Sequence, residues 1–556
     1  MNLIYLSHRI PYPPNKGDKI RSFNQIKYLA ESGHDIHLVC LADNRQDLDY
    51  SHKLRKWCKS VHVEYRSPVR AKALSFPWLL STKPLSVPYF YSPNLQKKVD
   101  RLLEQGNIST VFCFSSVMGE YVLRSRHPDM QKKLLVLDYC DLDSDKWLQY
   151  SSRSSWPMSW IYSRESSCLL QYEIQLNRFF DHCIFVSQAE ADLFHAHAPR
   201  PEITSVIANG VDQEFFSPAL NSRTNNAPVL LFTGAMDYQA NVDGVVWFCT
   251  SVLPELIKNF PGLRMYVVGG NPAPEVKALD GEHITVTGYV KDIRDYYKLA
   301  DVCVVPLRLA RGVQNKVLEA MAMSRPVVST SRVLQGVSAV PGREILVADD
   351  GSEFVEQISR VLKSPGLGQE LGRRGRRFVL DNHDWQRTLS SLDTLLASSP
   401  HPKRIPPPAR AFLSPAVLVL YVLFMFVAGL WPMQETSPGA SVTYLINPGL
   451  QNFLHLPMFG LFALLLMDFL RGFRLSPGIK YGLFAAFGLG MCVLLEVLQV
   501  FVPGRFFSLG DILVNVLGLG MGLGLYSLWQ KRPACLKRFR LGRHEAECSR
   551  SKIHFL

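Results

Sequence analysis

The hydrophobic and polar positions of residues 1–400 alternate between short apolar runs and longer stretches with helical spacing. The run NLIYLS is followed by a loop, a helical pattern that ends at Gly33, and a second apolar run, DIHLVCL. Such alternation predicts βαβ units and parallel sheets. A second series begins after the segment IANGVD, with the runs PVLLFTG, RMYVVGG, ITVTGYV, DVCVVPL and RPVVST. We therefore predict an α/β chain with two doubly wound Rossmann-like domains, at 1–205 and 206–398.

The pattern changes after residue 398, where a proline-rich stretch at 399–411 predicts an extended linker. Four apolar segments follow, at 412–431, 452–470, 480–501 and 511–529. Each is near the ~20 residues that a helix needs to cross the hydrocarbon core. Lys and Arg flank these segments almost entirely on one side, which marks that side as cytoplasmic. The pattern predicts a four-helix transmembrane domain at 412–530, with both termini and the two α/β domains in the cytoplasm.

Charge and cysteine content limit the kinds of partner and the cellular compartment that the sequence favours. The formal net charge is +13, and the tail 531–556 carries eight Lys/Arg against two Glu. Beside apolar segments, such a tail favours anionic lipid. A nucleic-acid partner is not favoured, because no soluble segment interleaves aromatic and basic residues. The eleven cysteines form no CxxC pairs, which favours a reducing compartment and argues against a disulfide or zinc framework.

Polar residues are also predicted to gather at the outer face of the membrane domain. They are His455, Glu496, Gln499, Arg505, Asp511 and Asn515. Ionisable groups at membrane depth are energetically expensive and tend to be functional. The alternative, that Glu496, Arg505 and Asp511 pair only to hold a loop in place, stays open at this point.

The stretch ARGVQNKVLEAMA, which follows the apolar run DVCVVPL, carries a candidate ligand site. A helix that starts behind a parallel strand points its free N–H groups and dipole at the cleft, and this arrangement suits a diphosphate. Gly312 allows close approach of the backbone, Lys316 adds a charge, and Glu319 offers acceptors for two hydroxyl groups such as those of a ribose. An amphipathic helix with a simple Lys–Glu pair at i,i+3 explains the same residues equally well.

Motifs across residues 1–395 favour the ligand site over the plain amphipathic helix. They are SHRIPYPPNKGDKIRS, DYCDLDSDKW, NGVD, FTGAMDYQANVDGVVWF, VTGYVKDIRDYY, PLRLARGVQNKVLEAMAMSRPVV and HDW. Together they resemble the GT-B glycosyltransferases of family 4, and more narrowly the sugar transferases associated with the PEP-CTERM/exosortase system. The segment NFLHLPMFGLFALLL, with LLEVLQVFVPGRFFSLGDILVNVLGLGMG, resembles the VanZ-like family over about 120 residues.

The resemblance implies a retaining, metal-independent transfer from a nucleotide-sugar, with no cofactor and with the donor held by the second domain. It implies catalytic roles for Asp141, Lys316 and Glu319. The loop that carries Lys16, Gly17 and Lys19 is implied to cover acceptor and donor phosphates, although a rigid turn made by two prolines explains the loop as well. The implied donor-binding residues are Asn209, Gly234, Val290, Arg308, Arg311, Gly312, Lys316 and Glu319.

The chain departs from the family pattern at the positions that usually carry charge. Arg311 stands where the family has the first of two Glu, and Ala235 stands where it has an Arg. Asn241 lies near the usual Lys position. We hypothesise that the cations that hold the diphosphate have moved to the loop of Arg308, Arg311 and Lys316. The second half of DYCDLDSDKW is rich in Asp, but it lacks a calcium-loop pattern and predicts no metal site.

These observations predict a hexosyltransferase, tethered to a bacterial inner membrane, that uses a nucleotide-sugar and a lipid-linked glycan acceptor in exopolysaccharide biosynthesis. Tethering raises the local concentration of a lipid substrate, and other exopolysaccharide assembly proteins are further expected partners. The alternative is a degenerate nucleotide-sugar-binding module that regulates the VanZ-like domain or polysaccharide export partners, and Arg311 and Ala235 keep it open.

Overall fold

A computed structural model describes residues 1–105, 107–125, 127–218, 227–310, 312–400, 415–430, 448–471, 476–502 and 507–528. The chain divides into two compact units. The first is drawn from Met1–Phe76 and Lys83–Ala409, and the second from Pro77–Thr82 and Arg410–Leu556. Within the predicted linker, only residues 399 and 400 are described, and the basic tail 531–556 lies outside the described residues.

The first unit begins with a seven-stranded sheet in which every recorded pairing is parallel, in the order β3-β2-β1-β4-β5-β6-β7. The strands are β1 Asn2–Ser7, β2 Asp35–Ala42, β3 Ser60–Tyr65, β4 Ile108–Phe114, β5 Leu134–Cys140, β6 His182–Phe185 and β7 Thr204–Val206. Successive residues of β1 pack into different apolar clusters, one on each face of the sheet. Burial on both faces explains the near-continuous apolar runs of the sequence.

A second sheet of six strands has the order β10-β9-β8-β11-β12-β13, again with parallel pairing. Its strands are β8 Val229–Thr233, β9 Arg264–Val268, β10 Ile284–Gly288, β11 Val302–Val305, β12 Val327–Ser329 and β13 Leu346–Val347. In both sheets the strand order reverses beside the first strand, at β1/β4 and at β8/β11. Ligands of doubly wound sheets bind outside the carboxyl ends of the strands at such a switch point. The predicted α/β class with two doubly wound parallel sheets is confirmed.

Helices connect the strands. In the first half they are α1 Gly17–Glu31, α2 Ser51–Leu54, α3 Pro68–Ser75, α4 Ser86–Phe90, α5 Pro93–Glu104, α6 Gly119–Arg124, α7 Asp143–Ser152, α8 Met158–Phe179 and α9 Gln188–His195. In the second half they are α10 Gln239–Ser251, α11 Leu253–Asn259, α12 Pro274–Lys277, α13 Arg294–Leu299, α14 Asn315–Ala322, α15 Ser331–Leu334, α16 Gly351–Lys363, α17 Pro365–Asn382, α18 Trp385–Leu389 and α19 Ser391–Leu396.

Helices α18 and α19 return to the first half of the chain. Trp385, Leu389 and Leu392 are buried in the same apolar cluster as Ile26 of α1. The hydroxyl of Tyr28 donates a hydrogen bond to Asp393 Oδ2 at 2.6 Å. The residues just before 398 therefore pack on the first sheet, although the predicted boundaries assign them to the second domain.

The second unit contains four apolar helices, α20 Pro415–Gly429, α21 Pro448–Arg471, α22 Pro477–Gln499 and α23 Leu509–Leu528. They coincide with the four apolar segments of the sequence. Pro477–Gln499 and Leu509–Leu528 are long and apolar enough to cross a membrane, whereas the apolar stretches Val417–Gly429 and Leu454–Leu470 are shorter. Two candidate spans are thus present among the described residues, and the four-span topology stays a prediction.

Candidate functional site

Lys316 lies in the first turn of α14, the helix that follows β11. Its Nζ atom is 2.5 Å from Oδ1 of Asn241 and 4.6 Å from the ring centroid of Phe232. A Cβ atom added to Gly234 would lie 3.1 Å from the same Nζ atom. The ammonium group therefore reaches the loop after β8, which carries Ala235, and the first turn of α10, which carries Asn241. The family resemblance leads us to expect cations at these two positions.

Glu319 lies one turn further along α14 and belongs to a hydroxyl network. Tyr297 donates a hydrogen bond to Glu319 Oε2 at 3.0 Å, and the Tyr297 hydroxyl is also 3.0 Å from Oγ1 of Thr233. Burial raises the pKa of the Glu319 carboxyl, against the opposing effects of the Tyr297 hydrogen bond and the Lys316 charge. Tyr297 thus fixes the carboxylate beside the end of β8, an arrangement that the sequence did not reveal.

The charge of Lys316 is energetically expensive in this position. Burial lowers the pKa of its ammonium to about 7, and the charge of Glu319 offsets this only in part. An ammonium that has lost part of its hydration gains more from a bound anion than an exposed lysine does. Lys316 is therefore poised to bind a negatively charged group between the loop after β8 and the start of α14.

Gly312 lies in the loop between β11 and α14 with a φ of 56°, in the left-handed region that favours glycine. A Cβ atom added there would lie 2.0 Å from Oδ1 of Asp141. Asp141 follows β5 of the first half, so the two halves meet at this glycine. Burial, together with the neighbouring charge of Asp143, raises the pKa of the Asp141 carboxyl to about 6.

We expect Gly312→Ala to lower nucleotide affinity about tenfold, because the new Cβ both strains a left-handed residue by ~1–2 kcal/mol and displaces Asp141. Titration of UDP, GDP and ADP into the full-length protein measures the effect. Gly342→Ala is a matched control, since Gly342 also has a positive φ of 76° but no atom within 4 Å of an added Cβ. Equal affinity losses in the two variants would show that contact with Asp141 does not matter.

Arg308, predicted to bind the donor, is held by an acidic residue. Its guanidinium forms a two-pronged ion pair with Asp243 of α10, with Nε 3.0 Å from Oδ2. Arg153 of the first half approaches the same carboxylate at 3.7 Å and donates to the backbone carbonyl of Arg308 at 3.3 Å. Of the two predicted cations that the structure describes, Arg308 and Lys316, it is Lys316 that reaches the loop after β8. Arg311 lies outside the described residues.

The remaining predicted donor residues have mainly supporting contacts. Asn209 is buried, accepts a hydrogen bond from Arg21 at 2.9 Å and donates to Asn315 at 3.1 Å. It therefore positions the first residue of α14. Val290 is partly buried and packs against the core of the second half.

Asn209 is held by Arg21, which is part of a buried ion pair. Nε of Arg21 lies 2.9 Å from Oδ2 of Asp138, and both side chains are fully buried. Gln25 donates to the same Oδ2 at 2.5 Å, and the backbone N–H of Cys140 donates to Oδ1 at 2.8 Å. Arg21 and Asp138 thus connect α1 and β5 to the start of α14.

The loop after β1 only partly matches its predicted role. Gly17 is the first residue of α1, and an added Cβ would lie 3.9 Å from Nδ2 of Asn315, so this loop does face the start of α14. Lys16 is the exposed N-cap residue of α1. Lys19 instead forms an ion pair with Asp47 at 3.0 Å and is almost fully buried, which turns its ammonium toward the first half.

Two helices of the second unit bring part of the predicted polar cluster together. Nδ1 of His455 is 2.9 Å from Oδ1 of Asn515, and Gln499 donates to the backbone carbonyl of Gly429 at 3.2 Å. Glu496 is fully buried. Asp511 lies in the first turn of α23, where its backbone N–H donates to Ser508. Arg505 lies outside the described residues.

Among the residues that the structure describes, no group of three or more His, Cys, Asp or Glu side chains lies close enough to hold a metal ion. The cleft brings together the ammonium of Lys316, the carboxyl groups of Asp141 and Glu319, and the backbone of Gly312.

Family models match most of the chain in three parts. Residues 21–215 match the model described as Glycosyltransferase Family 4, and residues 227–364 match Glycosyl transferases group 1. Residues 407–530 match VanZ/LLP1. The second match covers the loop after β8 and all of α14.

Two curated proteins are similar to the first 400 residues. An uncharacterized 44.6 kDa protein in the cps region of Klebsiella pneumoniae is 24% identical over 402 residues, which cover 70% of this chain and 98% of that protein. A GDP-mannose-dependent alpha-(1-6)-phosphatidylinositol monomannoside mannosyltransferase of Mycolicibacterium smegmatis is 25% identical over 212 residues, or 34% of this chain. The chain spans about half the length of that enzyme, since the match covers 54% of it.

Solved structures share the fold of the first unit. Sucrose-phosphate synthase of Thermosynechococcus elongatus superposes with a TM-score of 0.56 at 17% identity, over 71% of this chain and 98% of its own. Anabaena HepE in complex with UDP and glucose superposes with a TM-score of 0.52 at 14% identity, over 71% of this chain and 99% of its own. WaaG, a glycosyltransferase involved in lipopolysaccharide biosynthesis, also superposes with a TM-score of 0.52 at 14% identity, over 71% of this chain and 100% of its own. The first unit therefore has the two-sheet GT-B-like fold of these structures, and the chain carries regions similar to Glycosyltransferase Family 4, Glycosyl transferases group 1 and VanZ/LLP1.

Proposed function

We propose that this chain is a membrane-tethered retaining hexosyltransferase that moves a sugar from a nucleotide-sugar to a lipid-linked glycan, without a metal ion, in exopolysaccharide biosynthesis of the PEP-CTERM/exosortase type. One observation carries the proposal. The partly buried Lys316, at the start of α14, has its ammonium beside Gly234, and Glu319 lies one turn further on. This is the switch point of the second sheet, where doubly wound folds bind their ligands.

In this arrangement the donor diphosphate lies at the first turn of α14. Transfer breaks the bond between the sugar carbon and the diphosphate oxygen, and negative charge grows on the departing diphosphate. Lys316 and the free N–H groups of α14 stabilise that charge. The acceptor hydroxyl forms the new bond, and its proton passes to the departing phosphate. Glu319 accepts hydrogen bonds from the two ribose hydroxyls, and Asp141 orients the acceptor hydroxyl from the first half.

The lipid-linked acceptor is inferred from the second unit and from relatives. A chain that carries membrane-spanning helices keeps its cleft near the bilayer, where a lipid acceptor is concentrated. The mannosyltransferase of M. smegmatis is named for a phosphatidylinositol mannoside, and WaaG for lipopolysaccharide biosynthesis. Both names describe glycan assembly on lipid. The cps region of the Klebsiella relative fits a role in surface polysaccharide and partners in its assembly.

A nucleotide-sugar panel tests the enzymatic part of the proposal. Full-length protein in detergent is incubated with UDP-, GDP- and ADP-sugars, and release of the nucleoside diphosphate is followed. We expect turnover of one donor, and Glu319→Ala should lower kcat/KM about 10- to 100-fold, because hydrogen bonds to a charged group contribute ~1.5–3 kcal/mol. The exposed Glu255→Ala is the control. Turnover that is equal in wild type and Glu319→Ala would contradict the proposed donor site.

The pKa of Lys316 predicts how donor affinity depends on pH. A bound diphosphate raises the pKa of the Lys316 ammonium above the value of about 7 that it has in the protein without ligand. The favourable contribution is therefore complete below about pH 7 and is lost as the pH rises through the bound-state pKa. Titrating UDP, GDP and ADP at pH 6, 7, 8 and 9 should show affinity falling with pH for the nucleotide that binds. In Lys316→Met this decrease should be much smaller, and an unchanged slope would exclude Lys316 as its source.

A further inference from the structure

Glu190 is a buried acidic residue that the proposed reaction has not yet used. It lies in the first turn of α9, directly after β6, and is 2% exposed. The hydroxyl of Ser187 accepts a hydrogen bond from its backbone N–H, so the helix start is capped without the Glu190 side chain. That side chain is instead directed to the cleft. Its Oε2 atom accepts a hydrogen bond from the backbone N–H of Leu142 at 2.7 Å.

The same carboxylate reaches across to the second half of the first unit. The backbone N–H of Gly312, in the loop before α14, lies close enough to the Glu190 carboxylate to lower its pKa, against the larger effect of burial. Glu190 and Gly312 line one small cavity together with Ser187 of the first half and Gly336 of the second. One side chain therefore holds two backbone segments: the loop after β5, from the first half, and the predicted donor loop, from the second.

Asp141 completes the arrangement on the other side of Gly312. Its carboxyl oxygen occupies the space that a Cβ of Gly312 would fill, and Asp141 immediately precedes Leu142, whose N–H is bonded to Glu190. Glu190 thus fixes the backbone on both sides of the contact between Asp141 and Gly312. Burial and the neighbouring charge of Asp141 raise the pKa of Glu190 to about 7. Above that pH its hydrogen bonds to backbone N–H groups are charge-assisted, and such bonds are among the stronger ones in proteins.

We propose that Glu190 is a positioning residue of the donor site, which holds the loop before α14 at Gly312 and sets the place of Asp141 from across the cleft. The donor role of that loop rests on the proposed function. The link between Glu190 and Gly312 does not, because it is a feature of the protein without ligand. Loss of Glu190 then has two separate consequences: the loop loses its anchor to the first half, and the donor loses a preformed site.

Both consequences are measurable in the full-length protein in detergent. Hydrogen–deuterium exchange of peptides that cover 308–316 is followed without nucleotide in wild type, Glu190→Ala and Glu190→Gln. We expect exchange about tenfold or more faster in Glu190→Ala, since an N–H bond to a charged group is lost. Glu190→Gln should lie between the two, because a neutral amide oxygen accepts more weakly. Glu202→Ala removes a largely exposed carboxylate that pairs with Arg200. Exchange at 308–316 in this variant should match that of wild type.

Donor kinetics then separate positioning from general stability. We expect Glu190→Ala to raise the donor KM about tenfold with a smaller change in kcat, and Glu190→Gln to recover part of the loss. If Glu190→Ala melts well below wild type, the comparison rests on Glu190→Gln, which keeps the size of the side chain. Unchanged exchange at 308–316 in Glu190→Gln, or an unchanged donor KM beside faster exchange, would overturn the proposal. Faster exchange in a protein that turns over no nucleotide-sugar would leave the link intact and would contradict the proposed function instead.

Discussion

Lys316→Ala is expected to lower kcat for nucleotide-sugar turnover by about 100- to 1,000-fold. Removing one group that stabilises charge in a buried transition state has an effect of this order. Among the described residues, Lys316 reaches the loop after β8 whereas Arg308 is paired with Asp243. The fold should survive, because an ammonium whose pKa is lowered by burial costs free energy in the protein without ligand. The measurement is steady-state release of the nucleoside diphosphate by the donor that wild type uses.

Two comparisons make that prediction specific. Lys258→Ala removes a lysine that is largely exposed and paired with Glu255 on the same half, and should leave kcat unchanged. Melting temperatures of both variants should stay close to that of wild type. A Lys316→Ala enzyme with more than a third of wild-type kcat would show that Lys316 does not stabilise the departing diphosphate. If Arg311→Ala also left donor affinity and turnover unchanged, the hypothesis of relocated cations would be rejected.

Arg21→Met is expected to have the largest effect on stability. The Arg21–Asp138 pair is fully buried, and removing one partner leaves a buried charge that costs ~3–5 kcal/mol. The remaining donors to Asp138, Gln25 and the N–H of Cys140, offset only part of this cost. Thermal unfolding of the full-length protein in detergent should show a clearly lower midpoint for the first unit.

A second variant and an exposed pair provide the controls. Arg21→Met combined with Asp138→Leu should recover much of the lost stability, because two apolar side chains of similar size replace a buried ion pair at little cost. Lys59→Met breaks an ion pair of similar length, 2.7 Å, whose side chains are about half exposed, and should change the midpoint little. Equal shifts for Arg21→Met and Lys59→Met would contradict the importance of burial.

The sequence predicted the sheets well because burial on both faces leaves a direct trace. Each strand of a parallel sheet needs apolar side chains on both sides, so runs such as DVCVVPL stood out, and Lys316 and Glu319 could be placed on the helix behind β11. The apolar segments of the second unit were equally visible. These are local signals, and they survive in a single chain without any comparison.

The contacts between distant residues left no such trace. Nothing in the sequence indicated that Asp243 would pair with Arg308, or that Asp47 would turn Lys19 away from the cleft. The return of α18 to the first sheet also depends on tertiary packing. Glu190 looked like an ordinary acidic residue in the first turn of a helix, where it is favoured by the dipole alone, and only the structure brings it to Gly312.

One measurement tests the central claim most directly. Full-length protein is incubated with the donor that it turns over, labelled in the sugar, and with bacterial lipid extract, and the label is followed into the organic phase. If the protein transfers sugar to a lipid-linked acceptor, wild type should incorporate label into the organic phase. Incorporation by Lys316→Ala should be at least about 100-fold lower than by wild type. Label that stays in the aqueous phase with every donor, in a protein that still binds nucleotide, would contradict the account and favour a module that regulates the VanZ-like domain.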